Sequence, residues 1–474
     1  MATFGHYLVI GPKKILISAA GTLDQQFGGG QVYVQKLARE LQRRGRDVCI
    51  VCEDPWAGSD ERFRVAWRDF HGMPVAGVST NPARAPSGEN GSGQSPPLLE
   101  ALRQVVANAR PDVIHLNGMK PAMTSVAIEN SMPHVVTAHH GGIACPAGAL
   151  LRSDDTICSQ PMKSDGCVAC FCRQLNAPAP LRNALAALPA WVYRPAGRLL
   201  DVWPVSTYAT RALMYPRSVE QAIRGKQFVL RQAQQIIAPS RAIAEALIRN
   251  GAAESRVNIV PHGIDPLPRV PLGDLQNRPV RFGYVGQIHR AKGVSVLLEA
   301  FSGLPAGLAE LRITGQPQRP GEQAYLDSAM RPLHGRADVT QHGSVSHDQI
   351  AQVMAKIDVL IVPTICLEVF GLVILEAFSV GRPVIVTDSG GPSEIVRNGI
   401  DGIVVPPNDA QALSKAMKEL AEHPRRIAEL AANIRPVRTL AQHVDDIEAF
   451  YARVLHAGAT DATAAVNDLA GIGA

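Results

Sequence analysis

The sequence predicts an α/β protein made of two doubly wound, parallel-sheet domains facing each other. Three observations carry this. Short apolar, strand-like runs alternate with helical patterns almost throughout, the order that βαβ units produce. The 474 residues exceed one ordinary core and suit two of similar size. A proline-rich stretch, DPLPRVPLGDLQNRPV, interrupts the alternation near the middle, after which it restarts.

Strands are expected in the first half at residues 14–18, 48–51, 113–116, 135–138, 236–240 and 259–261. After the break they are expected at 282–285, 311–314, 359–362, 384–386 and 403–405. These give a first domain over 1–265, a linker over 266–280 and a second domain over 281–435. Sheets of this kind bind ligands beyond the carboxyl ends of their strands, so a cleft between the domains is the expected site. Residues 83–97 (ARAPSGENGSGQSPP) are too polar and Gly/Pro-rich to bury and are expected as a flexible loop. Residues 443–455 form an amphipathic helix, within a terminal segment expected over 436–458, and the Ala/Gly-rich 459–474 is expected as a disordered tail.

Net charge is +5 and no long Lys/Arg run is present, which argues against a nucleic-acid partner. The first residues lack a basic region ahead of a long apolar core and lack a cleavage site, and no apolar run of about 18 residues appears. A cytoplasmic protein with reduced cysteines is therefore expected.

The most informative string is LEVFGLVILEAFSVGRPVIVTDSGGPSEIV. Glu368 and Glu376 flank Phe370-Gly371, where a glycine lets backbone approach a ligand. Glu368 falls in the loop after a strand and Glu376 in the first turns of the next helix, whose free N–H groups favour phosphate. Paired carboxylates suit sugar hydroxyls and a cationic sugar centre; singly, each acid could equally cap a helix. Gly28-Gly29-Gly30 precede another helix, as a simple turn or as a cradle for an anion or hydroxyl. His139 ends the strand of PHVVTAHH. Arg290 and Lys292 follow the first strand of the second domain, where cations could clamp a diphosphate or simply be solvated.

The whole string, with Glu-x-Phe-Gly, the second Glu eight positions on, Gly-x-Pro-Val and Gly-Gly-x-x-Glu-Ile-Val, is similar to the donor-site signature of the GT-B-type family 4 glycosyltransferases. The Gly29-Gly30 loop and the Gly286 and Lys292-Gly293 region resemble the same family. The resemblance implies two Rossmann-like domains across a cleft, with the C-terminal helix crossing back onto the first. It implies a nucleotide-diphosphate-sugar donor, a hydroxyl acceptor (a glycan, lipid-linked or small molecule), retention of configuration and no catalytic metal. Glu368 is then assigned to the sugar and reaction centre, His139 to the donor sugar, and Glu376 to the ribose hydroxyls. Phe370, Gly371 and Leu372 would bring backbone N–H groups to the phosphates, and Gly315 and Val345 lie in loops that hold the base in relatives. His115 and Asn117 are placed toward the acceptor. Two departures stand out: Gln287 replaces the family's arginine after Gly286, leaving Arg290 as the substitute, and His140 stands where many relatives carry an acid.

Cys145, Cys158, Cys167, Cys170 and Cys172 cluster in one polar stretch, residues 145–172. The first four are candidates for a structural zinc site, with ordinary reduced thiols as the other reading. Trp191, Tyr193 and Trp203 among arginines suggest either basic-faced core helices or peripheral contact with the inner face of a membrane. The expected activity is sugar transfer in polysaccharide or glycoconjugate biosynthesis. The alternatives are a nucleotide-sugar 2-epimerase of the same architecture and a non-catalytic sugar-nucleotide sensor.

Overall fold

The computed structural model describes residues 12–23, 29–54, 63–79, 95–175, 177–195, 208–318 and 321–470, with only the backbone of 208–213 and 457–470. The first sheet contains β1 (Lys14–Ala19), β2 (Asp47–Asp54), β3 (Val65–Phe70), β4 (Met73–Ser79), β5 (Val113–Leu116), β6 (His134–Thr137), β7 (Gln235–Ala238) and β8 (Val257–Ile259). Their order is β3-β4-β2-β1-β5-β6-β7-β8, parallel except for the antiparallel pair β3–β4 at one edge. That hairpin escaped the sequence reading because β3, VAWRDF, is too polar to register as an apolar run. Its turn places His71 and Gly72 at φ +54° and +78°, the positive pair that a tight hairpin needs.

The second sheet is wholly parallel, in the order β11-β10-β9-β12-β13-β14. Its strands are β9 (Val280–Val285), β10 (Ala309–Thr314), β11 (Val339–His342), β12 (Val359–Val362), β13 (Val384–Thr387) and β14 (Gly402–Val405). Central strands such as β12 and β13 are buried along their whole length, because helices cover both faces and no polar alternation is required.

Helix Leu440–Ala470 leaves the second domain and lies on the first. Val444, Ile447, Phe450, Tyr451 and Val454 join Ile15, Ile17, Val48 and Val135 in one core. Buried polar contacts fix its register: Tyr451 Oη lies 2.7 Å from His115 Nδ1, and Tyr33 Oη 3.0 Å from His443 Nε2. Arg44 adds ion pairs to Asp445 and Glu448. This helix is longer than the expected 436–458: it continues to Ala470 where an irregular tail was expected, in keeping with the high helix propensity of its alanines.

The segment after Ile264 is tied down, not free. Val270 N–H donates to Val380 O at 3.0 Å, and the fully buried Arg382 donates to Val270 O at 2.7 Å and Ile357 O at 2.8 Å. Of the loop expected at 83–97, residues 83–94 lie outside the described residues; Pro96 and Pro97 begin helix Pro96–Ala109, since proline suits the first turn where no N–H is needed. No helix among the described residues is long and apolar enough to cross a membrane.

Candidate active site

One wall belongs to the second domain. Beyond β12 the chain turns into helix Leu372–Val380, with Gly371 at φ +94° as its N-cap, a conformation that side-chain-bearing residues avoid. The helix start lies against the first domain: a Cβ placed on Gly29 would lie 3.8 Å from Leu372 Cδ1. Glu368 is held by its backbone, donating to Ser389 O at 2.7 Å and accepting from Gly391 N–H at 3.0 Å. Its carboxylate takes a hydrogen bond from the Lys292 ammonium, carried on the single turn Arg290–Lys292 after β9. Burial alone would push Glu368 up, but Lys292 more than offsets it and leaves the carboxyl below its ordinary value. Burial likewise pulls Lys292 down, and Glu368 reverses it to a net rise. The pair is ionised on both sides.

Glu376 behaves oppositely. Buried on the same helix, it is pushed up to about 7 by loss of water, with Lys36 pulling weakly the other way. His347 Nδ1 lies 3.6 Å from its carboxylate, but burial holds that imidazole below its ordinary value, so at neutral pH the contact is not a full ion pair.

The facing wall comes from the first domain. Gly29 and Gly30 open helix Gly29–Arg43, and His139 follows β6. A Cβ on Gly30 would sit 2.7 Å from His139 Cδ2, so glycine is what lets the helix start and the imidazole meet. His139 Nδ1 is buried without a hydrogen-bond partner, and burial, then Lys120, keeps the ring neutral. His139 stacks on Tyr33 at 6.1 Å, Tyr33 meets His262 at 4.6 Å, and His262 meets Phe370 of the second domain at 5.3 Å. The side chain of Phe370 thus wedges into the core of the first domain. Ser240 Oγ, donating to Val369 O at 2.7 Å, and Glu394, accepting from Arg241 and Ala242 N–H at 2.8 Å each, close the same seam.

His262, Lys36 and His347 were missed in the sequence. Pro261-His262-Gly263 at a strand end was the available signal for His262; Lys36 lies on the helix that the Gly29-Gly30 loop begins, and nothing local marks His347. His115, placed toward the acceptor by resemblance, is instead buried between Tyr451 and Thr137 and serves the crossover contact. Asn117 is fully buried at the end of β5.

Arg290 faces a carboxylate rather than open space. Its guanidinium donates to Asp155, on a turn closed by the Leu151–Ile157 bridge, and Leu151 itself packs into the core of the second domain. Gly286 N–H donates to Thr314 O at 3.0 Å and Gly315 N–H to His342 O at 3.2 Å, bringing the expected base loops side by side. A cavity of about 530 Å³ beside them is lined by Tyr284, Thr314, His342, Val345 and Lys356.

The zinc set does not assemble. Among the described residues no group of three or more His, Cys, Asp or Glu side chains converges as metal ligands. The expected loop is a hairpin followed by helix Ser164–Gln174, on which the Cys170 thiol turns back to Gly166 O at 3.7 Å. Cys145 is buried in the first core, and burial pushes the Cys167 thiol up to about 12.

Three family descriptions match consecutive parts of the chain. "Glycosyl transferase 4-like domain" covers residues 28–200, "Glycosyltransferase Family 4" 181–266, and "Glycosyl transferases group 1" 274–436. The chain belongs to the GT-B-type family 4 glycosyltransferases. Among curated relatives of this family 4 chain, D-inositol 3-phosphate glycosyltransferase of Rhodococcus erythropolis is 32% identical over 224 residues, 44% of this chain and 50% of the relative. Alpha-D-kanosaminyltransferase of Streptomyces kanamyceticus is 30% identical over 166 residues, 34% and 42% respectively. The chain thus spans about half the length of the curated relatives it matches. Sucrose-phosphate synthase of Thermosynechococcus elongatus shares the fold with a TM-score of 0.63 at 18% identity, over 96% of this chain and 100% of that one. HepE of Anabaena, solved with UDP-glucose, shares it at 0.58 and 19%, over 95% and 99%. These likenesses fix the GT-B architecture: two parallel-dominated sheets, the cleft, and the returning C-terminal helix.

Proposed function

We propose that this family 4 chain transfers a sugar from a nucleoside diphosphate donor to an acceptor hydroxyl, with retention of configuration. The observation that carries the reading is the ionised Lys292–Glu368 pair beside the Leu372–Val380 helix start, opposite His139 and Gly30. The diphosphate lies against Lys292 and the N–H groups of residues 371 and 372, which take up charge as it departs. Glu376 accepts from the ribose hydroxyls. No side chain stands as a plain nucleophile, so the bond from the anomeric carbon to phosphate oxygen breaks as the bond to the acceptor oxygen forms on the same face. The acceptor proton passes to the departing phosphate oxygen. His139, held neutral, packs against the sugar near that carbon.

Relatives named for inositol phosphate and amylovoran glycosyl transfer support a role in polysaccharide or glycoconjugate assembly. Trp191, 78% exposed beside Arg194, suits contact with an anionic membrane surface, whereas Tyr193 is buried and Trp203 lies outside the described residues. Flotation with anionic liposomes tests that contact; protein left wholly in the soluble fraction overturns it. The activity is tested with a panel of radiolabelled nucleotide sugars. Nucleotide release with label on an acceptor supports transfer. Isomerised sugar would instead reveal an epimerase, and binding without turnover a sensor.

A further inference from the structure

Lys120 is the first residue of helix Lys120–Glu129 and is almost wholly buried at the carboxyl end of β5. A lysine there opposes the positive end of the helix dipole and loses its hydration as well. Its ammonium donates to Asn117 O, which uses one of three N–H bonds. Helix Tyr208–Gln232 packs on this helix and brings a second, half-buried cation, Lys226, close enough for the two to repel. Among the described residues neither lysine forms an ion pair. His140, N-terminal to the turn Gly141–Ile143, feels both lysines.

The surrounding polar groups are incomplete too. Asn117 is fully buried with Oδ1 and Nδ2 both unpartnered, as are the Oγ1 of Thr124, one turn beyond Lys120, and the Nδ1 of His139. Buried donors and acceptors are normally paired, so these groups, brought by three elements to the side of two cations that repel, suit a ligand that accepts and donates hydrogen bonds. Burial, then Lys226, pulls Lys120 down to about 7, the cost of holding it without a counter-charge. Cys145 is the group that acts on Lys226 in the opposite direction.

We propose that Lys120, Lys226 and Asn117, at the carboxyl end of β5, together bind an anionic group, a phosphate or carboxylate, carried by the acceptor beside the hydroxyl that is glycosylated. This rests on the transferase reading, which makes the His139 side of the cleft the acceptor side. The anion accepts from the two remaining Lys120 N–H bonds, from Lys226 and from Asn117 Nδ2. A neutral acceptor leaves the two cations facing each other.

Two titrations on the full chain separate the inference from the function it rests on. UDP alone reports the donor site, and its failure to bind overturns the transferase reading. Inorganic phosphate, added with UDP saturating (or without it if UDP does not bind), reports the lysine site. Phosphate should bind the wild type, at least tenfold more weakly to Lys120→Met and Lys226→Gln, and unchanged to the surface variant Lys418→Ala. Lys226→Gln keeps the test open if Lys120→Met does not fold. Absent phosphate binding, or equal binding in Lys226→Gln, overturns the proposal. Repeating the comparison with a soluble sugar phosphate and with phosphatidylglycerol vesicles assigns the source. Lysine-dependent binding of the first indicates a small phosphorylated acceptor, and of the second a lipid headgroup.

Discussion

Arg290 and Asp155 form an ion pair that joins the two domains, the guanidinium from the turn after β9 and the carboxylate from the Leu151–Ile157 hairpin. A second arginine, Arg173, stands 3.9 Å from the same carboxylate. A diphosphate that is to use Arg290 must compete with Asp155 for it. Asp155→Asn should therefore tighten UDP binding about fivefold, roughly 1 kcal/mol, as one charge-assisted contact is released. Adding Arg290→Ala should abolish the gain. Calorimetry on the three chains checks this; an Asp155→Asn chain that binds UDP no better than wild type would place Arg290 outside the donor site.

The two acids of the opening motif should separate in kinetics. Glu368 is tied to Lys292 at the reaction centre, so Glu368→Gln should cut kcat by about 100-fold or more while UDP affinity moves less than about threefold. Glu376→Ala should do the reverse, weakening UDP about tenfold with a smaller change in kcat. Glutamine suits the first site because it keeps a hydrogen-bond acceptor for the half-buried Lys292 ammonium, which alanine would remove. Steady-state rates with UDP titrations decide between these assignments and their inverse.

Much of this was legible in the sequence because local pattern determines it. Glycines before a helix, acids around Gly371 and a Val/Ile strand each specify structure within a few residues. What was not legible depends on contacts far apart in the chain. Phe370 was assigned for its backbone, yet its ring reaches His262, and Arg290 reads as a free cation until the hairpin brings Asp155 to it. The four cysteines share a short stretch, but that spacing says nothing of how a helix turns Cys167 and Cys170. β3 was overlooked because an edge strand need bury only part of itself.

Glu376 should leave a pH signature on stability. The unfolded chain releases this proton near 4.5, whereas the folded chain holds it until about 7. Folding therefore loses stability as pH rises between those values, and the loss is constant above. Its full size is about 3 kcal/mol at ~1.4 kcal/mol per unit. Glu376→Gln removes the titration: the variant should match wild type near pH 4 and gain on it progressively to about pH 7. Denaturant unfolding at several pH values checks this, and a difference that stays flat would mean the carboxyl is ionised in the fold.

The crossover helix can be tested through one oxygen atom. Tyr451 is fully buried, its hydroxyl 2.7 Å from His115 Nδ1, while His115 Nε2 lies 2.6 Å from Thr137 Oγ1. Tyr451→Phe preserves the ring packing against Ile447 and Val454 and deletes only that partner, leaving one imidazole nitrogen dry and unpaired. The cost should be about 1–3 kcal/mol, against roughly 3–5 kcal/mol for Tyr451→Ala, which also opens a cavity. UDP affinity should stay within about twofold in the Phe variant, because the donor loops belong to the other domain. Denaturant midpoints and UDP titrations on both variants measure the two quantities. A Phe variant as stable as wild type would show that apolar burial alone holds the helix on the first domain.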